Sequence, residues 1–395
     1  MNEPHYLQPL LPTPFHSRTQ AACCTALWSG WAGYQSARCY THVEFEYFAA
    51  RNQATLFDLS PMIKYRIAGS DSLPYLNRLM TRDVGKLAVG RVAYTVWCND
   101  VGKVLDDGTL FRLDDNEYLL CAQDRHLPWL QDSAIGFDLE VEDVSERFAA
   151  LALQGPTSYA IVQRMGFDDL MSLRPFGWRR VKYRGAELIV SRTGFSGDLG
   201  YEIWSAPDQA ESLWDDLMAA GADFGLMPMG SDALELLRIE AGYLLPNADF
   251  MPADHATRAS RGRSPFELGL GWLVDFNKGH FVGRRALQAE RAGSGRYTFV
   301  GLDIDGNKPA HESLIYHRRR ELIGHVTSAM WSPTCKRNIA IAELQAGREA
   351  MLDDLWVEIY LKKELKWEKL MVRCRVVPRP FFDPPRRLAT PPAAY

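Results

Sequence analysis

The stretch "GRVAYTVWCNDVGKVLDDGTLFRLDDNEYLLCA", Gly90 to Ala122, decides the fold class. It reads as three or four strands joined by Asn-Asp, Gly and Asp-Asp turns, an antiparallel meander. Upstream, "MIKYRIAG" (Met62 to Gly69) alternates apolar and polar residues as a strand does. "DSLPYLNRLMTRDV" (Asp71 to Val84) then carries leucines and a methionine at helical spacing behind a capping acid. Together these make an α+β unit. A second unit of the same character follows: "RFAALALQGPTSYAIVQRMG" as strand, turn and helix, "RRVKYRGAELIVSRTGFSGDLGYEIW" as strands, and "PDQAESLWDDLMAAGADFG" as a helix with Leu213, Leu217 and Met218 on one face. From Tyr297 onward short strands prevail, the pattern of an antiparallel β-barrel or sandwich of roughly a hundred residues. The proline-rich tail "PRPFFDPPRRLATPPAAY" is expected to run extended along the surface.

A chain of 395 residues is too long for one ordinary core, so two or three domains are expected. With 45 basic and 49 acidic residues the formal net charge is −4, and no basic stripe is interleaved with aromatics, which disfavours nucleic acid as a partner. Seven scattered cysteines without a C-x-x-C pair suggest neither zinc nor a redox dithiol, and fit a reduced, cytoplasmic setting. The start, "MNEPHYLQPLLPTPFHSR", lacks the pattern of a signal peptide, and no run is long and apolar enough to span a membrane.

Two segments invite chemistry. "SRTGFSGDLGYEIW", Ser191 to Trp204, places Gly194, Gly197 and Gly200 between two strands, which permits positive φ or close approach of another group. A hairpin with a glycine-rich turn accounts for the same residues. In "LDDG", Asp106 and Asp107 would point to opposite faces of a strand, so only one could enter a site; a solvated Asp-Asp-Gly turn is the alternative.

Five segments in order resemble the folate-dependent T-protein family of the glycine cleavage system: "NDVGKVLDD", "SRTGFSGDLGYEIW", "LLRIEAGYLL", "LGLGWLVDFNKGHFVGRRAL" and "GHVTSAMWSPTCKRNIAIAEL". The resemblance implies an α+β fold of three domains in a ring around a central folate channel. These would be a discontinuous folate-binding α+β domain (1–54 and 146–245), a second α+β domain with the aspartate pair (55–145), a connecting segment (246–290) and a C-terminal antiparallel β-barrel (291–395).

It also implies roles. Glu202 would accept paired hydrogen bonds from the pterin of tetrahydrofolate, which suits an ionised carboxylate facing two adjacent donors. Asp106 would be the catalytic carboxylate, stabilising positive charge at the transferred carbon and managing a proton. Tyr94 and the backbone at Gly194 would lie near the folate. Phe195, where the family usually has tyrosine, could stack without donating. Arg238 matches a helix arginine, either a ligand contact or a structural ion pair. Trp272 and Lys278 would pack a domain junction. No metal or redox cofactor is called for.

Departures shape the expected activity. An arginine that contacts the cofactor in aminomethyltransferases is replaced by Leu234, with Glu235 after it, and Asp198 replaces a glutamate. Trp28, Trp31, Tyr34, Tyr40 and Trp97 could line an aromatic pocket for a sulfonium, ammonium or methoxyaryl donor. The leading expectation is therefore a demethylase that moves a methyl group from a small N-, O- or S-methylated metabolite to tetrahydrofolate. The alternatives are an aminomethyltransferase acting on a lipoylated carrier protein, and a folate-binding protein without activity. A flavin dehydrogenase fragment is disfavoured because no G-x-G-x-x-G follows an early strand.

Overall fold

A computed structural model of the chain describes residues 9–293, 295–348 and 351–393. The first eight residues, and the ends of the expected tail and barrel segments at 394–395, lie outside these. The protein is built on two α+β sheets and a closed barrel. One sheet has six strands, in spatial order Trp178–Tyr183, Ala186–Ser191, Gly200–Ser205, Ala149–Gln154, Thr55–Asp58 and Met227–Pro228. All neighbours are antiparallel except the last pair. The strand Thr55–Asp58 belongs to this sheet, so the chain crosses to the next only after Asp58.

The second sheet has five antiparallel strands: Val92–Cys98, Val104–Asp114, Glu117–Ala122, Ile63–Ala68 and Glu140–Asp143. "LDDG" lies inside a strand of this sheet, not in a turn. Gly108 is required there because a Cβ would stand 2.0 Å from the Cys121 carbonyl oxygen of the adjacent strand. The expected helix spans Ser72–Leu79 and buries Tyr75, Leu76 and Leu79. Asp71 precedes it, but its carboxylate accepts from the Asp138 amide and does not cap the helix. Beyond its C-terminal end the Lys278 ammonium donates to the carbonyls of Asn77, Met80 and Arg82, a junction role for that residue.

Each sheet buries one face under helices. Tyr201 and Ile203 point into a core completed by Leu213 and Leu217 of the helix Ala210–Gly221. The reverse faces of the two sheets meet, with Trp204 edge-on to Phe111 at 5.7 Å. Tyr297 to Val377 supply the six strands of the antiparallel barrel. No helix of the described residues is long and apolar enough to cross a membrane.

Arg238 ties the barrel to the rest. It is fully buried, and its guanidinium donates to Asp249 Oδ2 (2.5 Å), Ser328 Oγ (2.8 Å), the Tyr243 carbonyl (3.1 Å) and the Glu235 carboxylate. The ligand contact considered for Arg238 is therefore corrected: its donors are directed to the protein. Removing the arginine would strand the Asp249 carboxylate. Arg238→Met is expected to cost about 3–5 kcal/mol in chemical denaturation, and the pair replacement Arg238→Met with Asp249→Leu should recover part of that.

Candidate active site

One bulged residue decides which acid of "LDDG" enters the space between the sheets. The pairing runs Tyr94 to Thr109, Val96 to Asp107 and Trp97 to Asp106, then jumps to Cys98 with Val104, leaving Leu105 as the extra residue. Strict alternation from Val104 would bring Asp106 to the face of Val96 and Cys98; the bulge shifts the count by one. Asp107 therefore shares a face with Tyr94, Val92 and Phe111, toward the other sheet. Asp106 shares the opposite face with Trp97 and Leu110, among residues of the covering helices. Asp106, expected as the catalytic carboxylate, thus lies on the face turned away from the other sheet, and its neighbour Asp107 on the face turned toward it.

The Tyr94 hydroxyl donates to Asp107 Oδ2 at 2.5 Å. Burial first, and the charge of Asp106 second, raise the Asp107 carboxyl to about 7 against the lowering effect of that bond. A reaction that needs ionised Asp107 should gain rate as pH rises through about 7 and lose it below, in a pH profile of kcat.

Glu202 approaches from the six-stranded sheet. It lies two residues before Trp204 and thus on the same face, next along from the Trp204–Phe111 contact. Its charge helps to hold the Cys121 thiol high, up to about 12, after burial as the first cause. Cys121 pairs with Thr109, two residues from Asp107, and Glu202 and Asp107 lie on the faces of the two sheets that meet at Trp204 and Phe111. Glu202 is only 9% exposed, and Oε2 accepts from Thr193 Oγ1 at 2.7 Å and weakly from Ser191. Oε1 accepts no hydrogen bond from the described residues. Burial raises the Glu202 carboxyl, and the two hydroxyls counter it.

Aromatic rings border this region. Phe195 stacks on Tyr243 with centroids 5.5 Å apart. Tyr243 lies within electrostatic reach of Tyr94, whose other neighbour is Trp272, 6.2 Å away and 70% exposed. Trp272 and Tyr243 were not singled out for the site, because nothing in their local pattern separates a rim residue from packing. Arg387 of the tail donates to the Tyr243 hydroxyl at 3.4 Å. The tail docks instead of only running over the surface: Arg386 grips Asp198, and Arg192 holds the carbonyls of Arg387 and Ala389. Two surface clefts, of about 220 Å³ around Met251 and Arg261 and about 450 Å³ around Thr13 and Phe148, contain none of these residues.

The glycines of the loop are closely packed within the protein. A Cβ on Gly194 would fall 2.0 Å from Gln154 Oε1, and one on Gly200 would meet the same side chain. Gly197, at φ +69°, faces Ala241. The missing Cβ of Gly194 leaves room for Gln154, which donates to the Thr193 carbonyl and accepts from Ser196. Leu234 packs against the apolar cluster between the sheets.

Among the aromatics expected at a donor pocket, Trp97 is fully buried on the Asp106 face, Tyr40 is 2% exposed in the core, Trp31 packs on Phe57 and Trp28 on His16. Trp31 pairs with Tyr34 across the hairpin, and Tyr34 borders the cleft of about 450 Å³.

Comparison with known proteins accords with this architecture. Residues 15–278 match the family described as GCVT N-terminal domain, and residues 298–383 the Glycine cleavage T-protein C-terminal barrel domain. An aminomethyltransferase of Caldanaerobacter subterraneus subsp. tengcongensis is 34% identical over 79% of this chain and 82% of its own length. One of Geobacillus kaustophilus is 33% identical over 91% of this chain and 96% of its own. The crystal structure of glycine cleavage system aminomethyltransferase T from Bartonella henselae superposes with a TM-score of 0.82 at 23% identity, covering 95% of this chain and 98% of that one, which shows the shared fold. The chain belongs to the glycine cleavage T-protein family and is an enzyme of its transferase kind.

Proposed function

We propose that the chain transfers the one-carbon unit of an aminomethyl group, borne on the lipoyl sulfur of a carrier protein, to tetrahydrofolate, with release of ammonia. The observation that supports this reading is a carboxylate on each of the two facing sheet surfaces: Glu202 with an uncommitted oxygen, and Asp107 backed by Tyr94. The curated relatives that carry the name aminomethyltransferase support it over the demethylase.

The residues fit the folate. Glu202 Oε1 is a free acceptor at a largely buried position, matched to an edge that presents adjacent N–H donors. Phe195, Tyr243 and Trp272 offer flat apolar surface to aromatic rings. Tetrahydrofolate, when bound, supplies ring nitrogens as the nucleophile. Asp107 spends Oδ2 on Tyr94 and keeps Oδ1 for the donor's nitrogen, where it stabilises positive charge and accepts a proton as the carbon moves. Tyr94 fixes the carboxylate's orientation.

Purified protein with tetrahydrofolate and aminomethyl-loaded lipoyl carrier should yield methylene-tetrahydrofolate and ammonia, read by mass spectrometry. Formation of 5-methyl-tetrahydrofolate from a panel of free sulfonium, ammonium or methoxyaryl donors, with no product from the carrier, would overturn this and restore the demethylase.

A further inference from the structure

On the far side of the strand from the site lies a buried ionisable cluster that the transfer itself does not touch. Asp106 is 1% exposed and His126 5% exposed. His126 Nε2 stands 3.0 Å from Asp106 Oδ2, which also accepts from the Asp124 amide at 3.2 Å. Asp106 Oδ1 accepts from the amide of Asp107 at 2.8 Å, so the pair is joined to the site residue through one peptide unit. His126 is itself clamped. Its backbone amide donates to the Tyr65 hydroxyl at 2.7 Å, and its ring stands edge-on to Trp97 at 5.8 Å. The other ring nitrogen, Nδ1, looks toward Asp254 Oδ2 at 3.7 Å, and Asp254 is 39% exposed. That carboxylate links the buried imidazole to solvent.

We propose that the Asp106–His126 pair is a positioning device for the reaction: it sets how much negative charge stands behind Asp107, and so which protonation state Asp107 presents to the donor nitrogen. The inference rests on the reading of Asp107 as the site carboxylate. A protonated His126 cancels the charge of Asp106; a neutral or missing one leaves that charge acting on Asp107 across a short, water-poor path. Burial opposes the charged imidazole, but the hydrogen bond and charge of Asp106, with those of Asp254 and Asp124, outweigh it and hold His126 above its ordinary value. The groups that face Asp107 are Asp106 and Tyr94, with Tyr243 beyond Tyr94. Those that face His126 are Asp106, Asp124, Asp254 and the Tyr65 hydroxyl, while the neighbouring Arg125 is turned to Asp143.

The test is the titration midpoint of Asp107, followed by carboxyl ¹³C NMR in aspartate-labelled full-length protein and assigned through the signal lost in Asp107→Asn. The same variants are assayed for the pH profile of kcat. His126→Gln should move the midpoint up by about 0.5–1 unit, and Asp106→Asn should move it down by a similar amount. The double variant should match Asp106→Asn alone. Asp254→Asn alters an exposed residue and should give a smaller upward move without disturbing the core. Shifts of the same sign for His126→Gln and Asp106→Asn, or no shift in any variant, would overturn the proposal. An Asp107→Asn protein with full turnover would instead overturn the assignment of Asp107, so the two failures are distinguishable.

Discussion

Asp107→Asn is expected to lower kcat by about 10²- to 10⁴-fold while the dissociation constant for tetrahydrofolate stays within a few fold. Asparagine keeps the shape of the side chain and can still meet the Tyr94 hydroxyl. What it loses is the negative charge and the capacity to take a proton, both of which matter only while charge develops at the donor. Transition-state stabilisation of that kind shows as lost kcat with little change in ground-state binding. Asp106→Asn is the matched control. Its carboxylate lies on the opposite face of the strand, so its loss should change kcat far less and chiefly through the pH profile. Rapid-quench assays on both variants, with folate affinity from fluorescence titration, separate the two aspartates. An Asp106→Asn loss as deep as that of Asp107→Asn would contradict the orientation set by the Leu105 bulge.

Glu202→Gln is expected to weaken tetrahydrofolate binding by about 10- to 100-fold, from the roughly 1.5–3 kcal/mol that a hydrogen bond to a charged group contributes. The amide retains one acceptor oxygen, but its NH₂ group faces the pterin's donors with another donor. Because Thr193 Oγ1 already occupies Oε2, the oxygen available to a ligand is Oε1, and the substitution acts there. Turnover at saturating folate should fall much less than affinity, the reverse of the Asp107→Asn pattern. Isothermal titration calorimetry gives the affinity. An unchanged dissociation constant would place the pterin elsewhere.

How far the sequence reaches differs between fold and site. Period-two alternation, helical spacing and turn residues were enough to read two α+β units followed by a β-domain, because these patterns are local and each burying face must repeat along the chain. Glu202 and Tyr94 were legible as site candidates through motif resemblance. The choice between Asp106 and Asp107 was not, since adjacent acids differ only in the face they take. A single bulged residue, with no distinctive signature in "KVLDDG", sets which of the two faces the other sheet. The space that a Cβ would take at Gly194 is filled by Gln154, forty residues earlier in the chain and adjacent only through strand pairing.

The amino-acid sequence by itself determined the α+β and barrel layout, the family, and the presence of a carboxylate-bearing glycine loop and an aspartate pair, because each is carried by residues close together along the chain. Tertiary structure alone decided that Asp107 faces the other sheet, that the Arg238 guanidinium meets Asp249 and Ser328, that Gly194 makes room for Gln154, and that His126 stands on Asp106 on the far face of the strand. All of these depend on register and on which faces meet, which arise only when distant strands pair and bury their shared surfaces.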